Sequence, residues 1–250
     1  MVEANAWEWA RWPDDAPGHR IAAVTTTRPG GFSKGKYAAF NLACHVHDDP
    51  AHVARNRRDL LKALGLAHVQ WLEQVHGTGC VQATLASCDR VPVADAAWTS
   101  VPGLALAVLT ADCLPVVVAA RDASTVAVIH AGWRGLVAGI IPSVVGSLPG
   151  RTTGYVGWIG PGIGADAYEV GGDVAEAVRQ SGPEAEAYLR PGGRADKYQL
   201  DLAGLAVRQL GDVGIGCVER SSACTWSDAR FYSYRRDGET GRQATLVWIR

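Results

Sequence analysis

The sequence predicts an α+β fold, one domain of mixed β-sheet layers flanked by helices. Three observations lead there. Two apolar runs rich in β-branched residues, Leu114 to Ala120 and Thr125 to Ala131, flank the polar cluster Arg121-Asp122-Ala123-Ser124, the pattern of a β-hairpin too apolar to face water. The strands and helices read along the chain do not alternate strictly, which speaks against a doubly wound parallel sheet. No repeat with a period of about 20 to 50 residues appears, so a solenoid or propeller is excluded. At 250 residues the chain is expected to form a single large domain over 1–250, or two tightly merged halves.

In chain order, Ile21 to Thr27 reads as a strand that empties into the turn Arg28-Pro29-Gly30-Gly31, followed by a flexible polar stretch from Phe32 to Phe40. His45-Val46-His47-Asp48-Asp49-Pro50 reads either as a metal-binding fragment or as a polar loop whose aspartates cap the next helix. That helix, Ala51 to Leu64, is closed by Gly65. Val69 to Val75 is a predicted strand that delivers His76 into the tip His76-Gly77-Thr78-Gly79, ahead of a short strand from Cys80 to Thr84; residues 85–102 are less regular. After the hairpin, Leu136 to Leu148 reads as one buried helix despite Pro142. Its approach through Gly132-Trp133-Arg134-Gly135 offers unpaired backbone N–H groups and an arginine, a seat for an anion. Thr152 to Ile159 is a further strand. Gly160-Pro161-Gly162-Ile163-Gly164-Ala165 loosely spells G-x-G-x-x-A, but it contains a proline and no helix starts at its end, so it is read as a bend bringing backbone close to something. A helix from about Asp173 to Tyr188, an exposed loop from Pro191 to Lys197, a helix from Leu200 to Leu210, a short strand from Gly214 to Glu219 and a closing strand from Ala244 to Ile249 complete the chain.

A net charge of −1 gives no general attraction to nucleic acid or an anionic membrane, and neither is expected as a partner. No run approaches the roughly 18 apolar residues of a membrane span, and the start MVEANAWEWARWPDD is acidic and Trp-rich where a signal peptide is basic and then apolar. A cytoplasmic protein, monomer or homodimer, is expected. Its six cysteines include no C-x-x-C pair and are read as reduced thiols, mostly small buried hydrophobes.

Cys113 is the exception. Pairing Ala120 with Thr125 brings Cys113 beside His130 at one end of the hairpin, with Asp112 before the thiol and Trp133-Arg134 after the imidazole. If His76 joins them, the set is two histidines and a cysteine, three zinc ligands with a fourth position left for water or substrate, and Asp112 is placed to orient a ligand. The spacing supports the pair and only permits His76. Two other readings stand beside it: a metal-free nucleophile in which His130 activates Cys113, with Asp112 or an asparagine orienting the imidazole, and a copper site, although the single methionine, Met1, leaves no axial ligand. Arg57, Arg58, Arg134, Arg235 and Arg236 are candidate anion binders, set against the ordinary reading of exposed solubilising arginine.

The words TTTRPGGFS at 25–33, NLA at 41–43, LEQVHG at 72–77, TADCLPV at 110–116, HAGWRG at 130–135, GP at 160–161, YEVG at 168–171 and FYSYRRDGETGRQA at 231–244 resemble the bacterial YfiH or laccase-domain family, in order over nearly the whole chain. The resemblance implies a single α/β domain similar to the catalytic domain of a cytotoxic necrotising factor deamidase. It implies a zinc held by His76, Cys113 and His130, with no departure in the three ligand words. The implied activity is phosphorolysis of adenosine, inosine, guanosine and methylthioadenosine, with adenosine deamination alongside. Purine nucleosides and phosphate are then the partners. A copper polyphenol oxidase, or a cysteine hydrolase or amidase editing peptidoglycan precursors, is the alternative. On their places in the family words, Arg57 and Arg235 are expected to hold phosphate and Asn41 the substrate, with Arg134 a further anion contact.

Overall fold

The predicted hairpin is the middle of a six-stranded sheet. The computed structural model of the chain describes residues 4–13, 18–182 and 184–250. In it Leu114–Ala120 runs antiparallel to Val126–Ala131, with Pro115 opposite His130 and the Ala120 N–H donating to the Thr125 carbonyl at 2.8 Å. Tyr155–Ile159 and then Val218–Arg220 extend the sheet on one side, Ala96–Thr99 and then Cys80–Gln82 on the other. Both hairpin strands are buried along their whole length, as near-continuous apolar runs must be when both faces are covered.

The alternation of the strand decides what covers each face. Val116 and Val118 point toward Leu136, Val144, Val178 and Leu205, from helices Trp133–Val137, Ile140–Ser147, Gly172–Gln180 and Leu202–Asp212. Val117 and Ala119 point the other way, onto Ile21, Leu106, Val108 and Val247 of a second sheet. That sheet orders its strands Glu8–Trp9, Ile21–Thr25, Gln243–Ile249, Leu104–Thr110 and His68–Gln70. Its outer face packs on Phe40, Leu42 and Leu60, the last from helix Pro50–Leu64. The layers therefore run helix, sheet, sheet, helices, with mixed parallel and antiparallel pairing, as expected. A small three-stranded sheet of Glu169–Gly171, Lys197–Leu200 and Leu189–Pro191 stands beside them.

Local signals explain most boundaries. Asp49 caps helix Pro50–Leu64 by accepting from the Ala51 N–H at 2.8 Å, and Gly65 ends it at φ 65°. The bend at 160–165 is as read: the Ile163 N–H reaches the Asp112 carbonyl at 2.9 Å, and a Cβ at Gly162 would run into Leu114. Several expectations are corrected. The stretch Phe32 to Phe40 is not a loose polar loop, because Ser33, Tyr37 and Phe40 are buried around a 3-10 turn, Gly35–Tyr37. Asn56 holds it: its Oδ1 accepts from the Phe32 N–H at 2.9 Å, and its Nδ2 donates to Ser33 Oγ at 3.0 Å and to the Asn41 carbonyl at 2.8 Å. The strand predicted for Val69 to Val75 stops at Gln70, because Gln74 turns its amide inward to bond the Leu109 N–H and carbonyl, each at 2.8 Å. The helix predicted for Leu136 to Leu148 is two, broken at Gly139 (φ 83°), with Pro142 in the first turn of the second, where a missing N–H costs nothing. The helix predicted for Asp173 to Tyr188 ends at Gln180, and a separate 3-10 turn, Ala185–Tyr188, follows. Pro191 to Lys197 joins a hairpin, and the strand near 214–219 is Val218–Arg220. Of the Trp-rich start, residues 1–3 and 14–17 lie outside the described residues, while Trp7 is buried with its ring stacked on Phe40 at 5.9 Å. Among the described residues no helix is long and apolar enough to cross a membrane.

Asn56→Ala strands several buried donors and acceptors at once, and is expected to lower stability by about 2 to 4 kcal/mol. Urea unfolding should show a lower midpoint at an unchanged m value.

Candidate metal centre

Cys113 sits where the chain crosses from one sheet to the other, between strands Leu104–Thr110 and Leu114–Ala120. His130 comes from the next strand and is 3% exposed; His76 arrives on a loop at φ 59°. The ligand atoms of the three residues lie within 4.8 Å of one another, with Cys113 Sγ 3.9 Å from His76 Nε2. The two imidazoles meet edge to face, their centroids 4.8 Å apart at 73°. Gly132 is part of the site by its lack of a side chain, since a Cβ there would stand 3.0 Å from Cys113 Sγ and 3.2 Å from His76 Cδ2.

The carboxylate that orients these ligands is Asp95, not Asp112. Asp95 is fully buried, and its Oδ1 lies 2.8 Å from His130 Nδ1, which leaves His130 Nε2 for the cluster. The same carboxylate accepts from the backbone N–H groups of Val75, His76 and Gly77 at 3.2, 3.0 and 2.7 Å, so it also shapes the loop that presents His76. Asp112, at φ 93°, ties other segments to the Cys113 turn: its Oδ1 accepts from the Thr225 hydroxyl and its Oδ2 from the Arg235 N–H, both at 2.7 Å. Sequence reasoning passed over Asp95; the one cue was an acid set directly before the apolar strand Ala96–Thr99.

Charge follows geometry. Burial pushes the Cys113 thiol up, but the charge of His130 and hydrogen bonds from both imidazoles more than reverse this and bring it down to about 6. Burial pushes His130 down, and the Cys113 thiolate with the Asp95 bond carries it up to about 9. Burial raises Asp95, yet its bonds to His130 and to backbone N–H groups leave it below the ordinary carboxylate value. Without metal, each of the two favours the charged form of the other. A tetrahedral zinc with bonds of about 2.0 Å to nitrogen and 2.3 Å to sulfur keeps its ligands roughly 3.3 to 3.7 Å apart. A set already within 4.8 Å closes on such an ion by small side-chain rotations, so the residues present fit it, and binding displaces the imidazolium proton.

A cleft of about 490 Å³ opens over the three ligands, walled by Trp133, Tyr168 and Tyr234 and by Arg134, Arg235 and Arg242. The Arg134 guanidinium lies 4.4 Å from the Trp133 ring, and that of Arg235 lies 5.1 Å from Tyr168 with Nη1 donating to the Glu169 carbonyl at 2.6 Å. Arg57 and Asn41 do not line it. Arg57 donates to the Leu42 carbonyl at 2.8 Å and stacks on Trp71 at 3.9 Å. Asn41 is buried, accepting from the Ala43 and Arg242 N–H groups at 3.0 and 2.9 Å and donating to Asp48 at 2.8 Å. Arg236 is spent on Asp237 and on the carbonyls of Thr225 and Phe231. The two histidines of His45-Val46-His47 diverge, His45 to the cleft wall and His47 to Glu239 at 3.1 Å, so they form no metal fragment. A larger hollow of about 610 Å³, between Trp9, Leu66 and Trp248, holds no comparable cluster.

Residues 22–250 match the family described as multi-copper polyphenol oxidoreductase laccase. A purine nucleoside phosphorylase of Pseudomonas aeruginosa is 43% identical over 98% of this chain and 99% of its own. The purine nucleoside phosphorylase YfiH of Escherichia coli is 39% identical over 96% and 97%. Among solved structures, a Neisseria meningitidis protein superposes with a TM-score of 0.91 at 40% identity, covering 97% of this chain and 98% of its own. YlmD from Geobacillus stearothermophilus gives 0.91 at 32% identity, covering 100% and 99%.

In the metal-free protein, alkylation of Cys113 by iodoacetamide should titrate with a midpoint near pH 6, read by mass spectrometry at that residue. Asp95→Asn removes one of the groups that, after Cys113 itself, raise His130, so the midpoint should rise toward that of an ordinary thiol.

Proposed function

This chain belongs to the laccase-domain family of the YfiH proteins, and on that premise we propose that it is a zinc-dependent purine nucleoside phosphorylase. Its substrates are adenosine, inosine, guanosine and methylthioadenosine, and adenosine deamination is a second reaction of the same centre. One observation carries the reading: His76, Cys113 and His130 converge at the floor of a cleft whose walls are aromatic rings and arginines. The names of the relatives supply the reaction class.

Phosphorolysis forms a bond from a phosphate oxygen to the anomeric carbon while the bond to the purine nitrogen breaks. The electron pair leaves with the base, and the proton of hydrogen phosphate ends on it. The protein must therefore hold a flat aromatic group, fix an anion and tolerate a sugar that turns cationic. The half-buried Trp133 and Tyr168 offer ring faces to the purine. Arg235 brings a guanidinium held at the Glu169 carbonyl, and its backbone N–H on Asp112 fixes it relative to Cys113. An anion held there stabilises the developing positive charge on the sugar. Zinc, when bound by His76, Cys113 and His130, supplies polarisation of a substrate oxygen and an acidified water for deamination.

The copper in the family's description fits less well with these residues. Among the described residues one group of three metal-binding side chains forms, enough for a single ion and not for a multicopper cluster. The low Cys113 thiol beside His130 favours a second reading, a cysteine hydrolase or amidase acting on peptidoglycan precursors.

Zinc-loaded protein given inosine should release hypoxanthine and ribose-1-phosphate only when phosphate is present. A chelator, His76→Ala or Cys113→Ala should each abolish release, and zinc should restore it after chelation. Absence of release with zinc bound overturns the reading. Turnover of cell-wall precursors that survives chelation but not Cys113→Ser moves the assignment to the nucleophile, and oxygen uptake moves it to copper. Arg235→Ala should raise KM for phosphate by about tenfold, a change of about 1.4 kcal/mol, and KM for the nucleoside much less.

A further inference from the structure

Arg57 was expected to hold phosphate, but its guanidinium is committed to Trp71 and the Leu42 carbonyl, outside the cleft. We propose that Arg242, with His45 beside it, is the seat of the phosphate co-substrate, a second guanidinium that faces the same dianion as Arg235. The proposal rests on the phosphorylase reading for the word co-substrate; the anion seat itself does not depend on it.

Arg242 lines the cleft together with the three metal-binding residues. Only one of its guanidinium nitrogens is engaged: Nη1 donates to the carbonyls of Thr240 and Gly241 at 2.7 and 2.9 Å, and Nε and Nη2 have no partner among the described residues. It makes no ion pair among those residues either. A half-buried cation with idle donors is poorly solvated, and burial pushes its pKa down; an anion arriving in the cleft relieves both deficits. The group is also held in place. Its backbone N–H donates to Asn41 Oδ1 at 2.9 Å and its carbonyl accepts from the Leu42 N–H at 3.2 Å. The preceding Gly241 packs so closely that a Cβ would lie 2.7 Å from the Tyr232 ring and 3.0 Å from Asn41 Cβ. Asn41 thus serves the site by fixing Arg242, not by touching substrate.

His45 stands on the same wall. Burial lowers its pKa, and the guanidiniums of Arg242 and Arg57 lower it further, so this imidazole stands in positive potential. Arg57 contributes to that field without reaching the cleft. A neutral His45 offers one N–H donor to an anion seated against Arg242. Two guanidiniums and an imidazole are a donor set for a tetrahedral dianion, and a planar carboxylate needs only one fork.

The test is isothermal titration of inorganic phosphate into zinc-loaded protein. Arg242→Met should weaken phosphate binding at least tenfold, with zinc content and nucleoside affinity within twofold of the starting protein. Arg242→Lys keeps the charge and folds around the same carbonyls, yet loses the fork, and should weaken phosphate by about threefold or more. Phosphate affinity unchanged in both variants, or nucleoside affinity falling in step with it, overturns the assignment. Phosphate binding that depends on Arg242 in a protein without phosphorolysis keeps the seat and overturns the enzymatic reading; no phosphate binding by the starting protein overturns the seat.

Discussion

One buried carboxylate holds the site together. Asp95 has no access to water, and a carboxylate in that position costs several kcal/mol unless donors replace its hydration. It has four: the imidazole of His130 and three consecutive backbone N–H groups at Val75, His76 and Gly77. Each donor constrains a different part of the chain. The imidazole fixes which nitrogen of His130 is free, and the three N–H groups curl residues 75–77 around the carboxylate, which puts His76 at φ 59° and aims its ring at Cys113. The carboxylate therefore positions two of the three candidate metal ligands at once.

The rest of the fold delivers the parts to that point. The sheets pack face to face, and residues 111–113 form the short crossing between them, so Cys113 lies at a seam where both sheets end. Asp112 secures the seam from the other side by binding Thr225, Arg235 and, through its carbonyl, Ile163. Three segments distant in sequence are thereby clamped beside the thiol. The close approach makes a side chain at Gly132 tight against Cys113 and His76 and drives a Cβ at Gly162 into Leu114 Cδ2, which explains glycines that loop flexibility does not.

What could be read in the sequence divides along the same physical line. The hairpin register is legible because the polar cluster 121–124 marks the turn and pairs Ala120 with Thr125, which brings Cys113 and His130 together as the structure has them. Leu104–Thr110 was not recognised as a strand, since a short continuous apolar run has the same appearance in a buried helix. The break in 136–148 follows from Gly139, whose positive φ is invisible until the packing of two helices demands it. His76 lies on a loop, where no period fixes direction, and only the family words placed it. The sequence reading names Arg57 and not Arg242, because the direction of the Arg57 side chain depends on Trp71, which is not near it in sequence.

Ion pairing differs from arginine to arginine: several outside the cleft, such as Arg55 and Arg151, have no carboxylate partner among the described residues, and others do. Arg28, Arg179, Arg190, Arg194, Arg208, Arg230 and Arg236 each have a carboxylate partner. Arg134, Arg235 and Arg242, the three that wall the cleft, have none among the described residues, although the chain as a whole carries a net charge of −1 and has acids to spare. Leaving three guanidiniums unneutralised around one hollow is unfavourable in the empty protein, through mutual repulsion and lost solvation. The Asp112 carboxylate on the cleft lining relieves part of that cost, and an anion entering the cleft relieves more. The guanidiniums of Arg134, Arg235 and Arg242 share the cleft with the Asp112 carboxylate and with Cys113, His76 and His130, so the positive charge stands beside the candidate metal ligands.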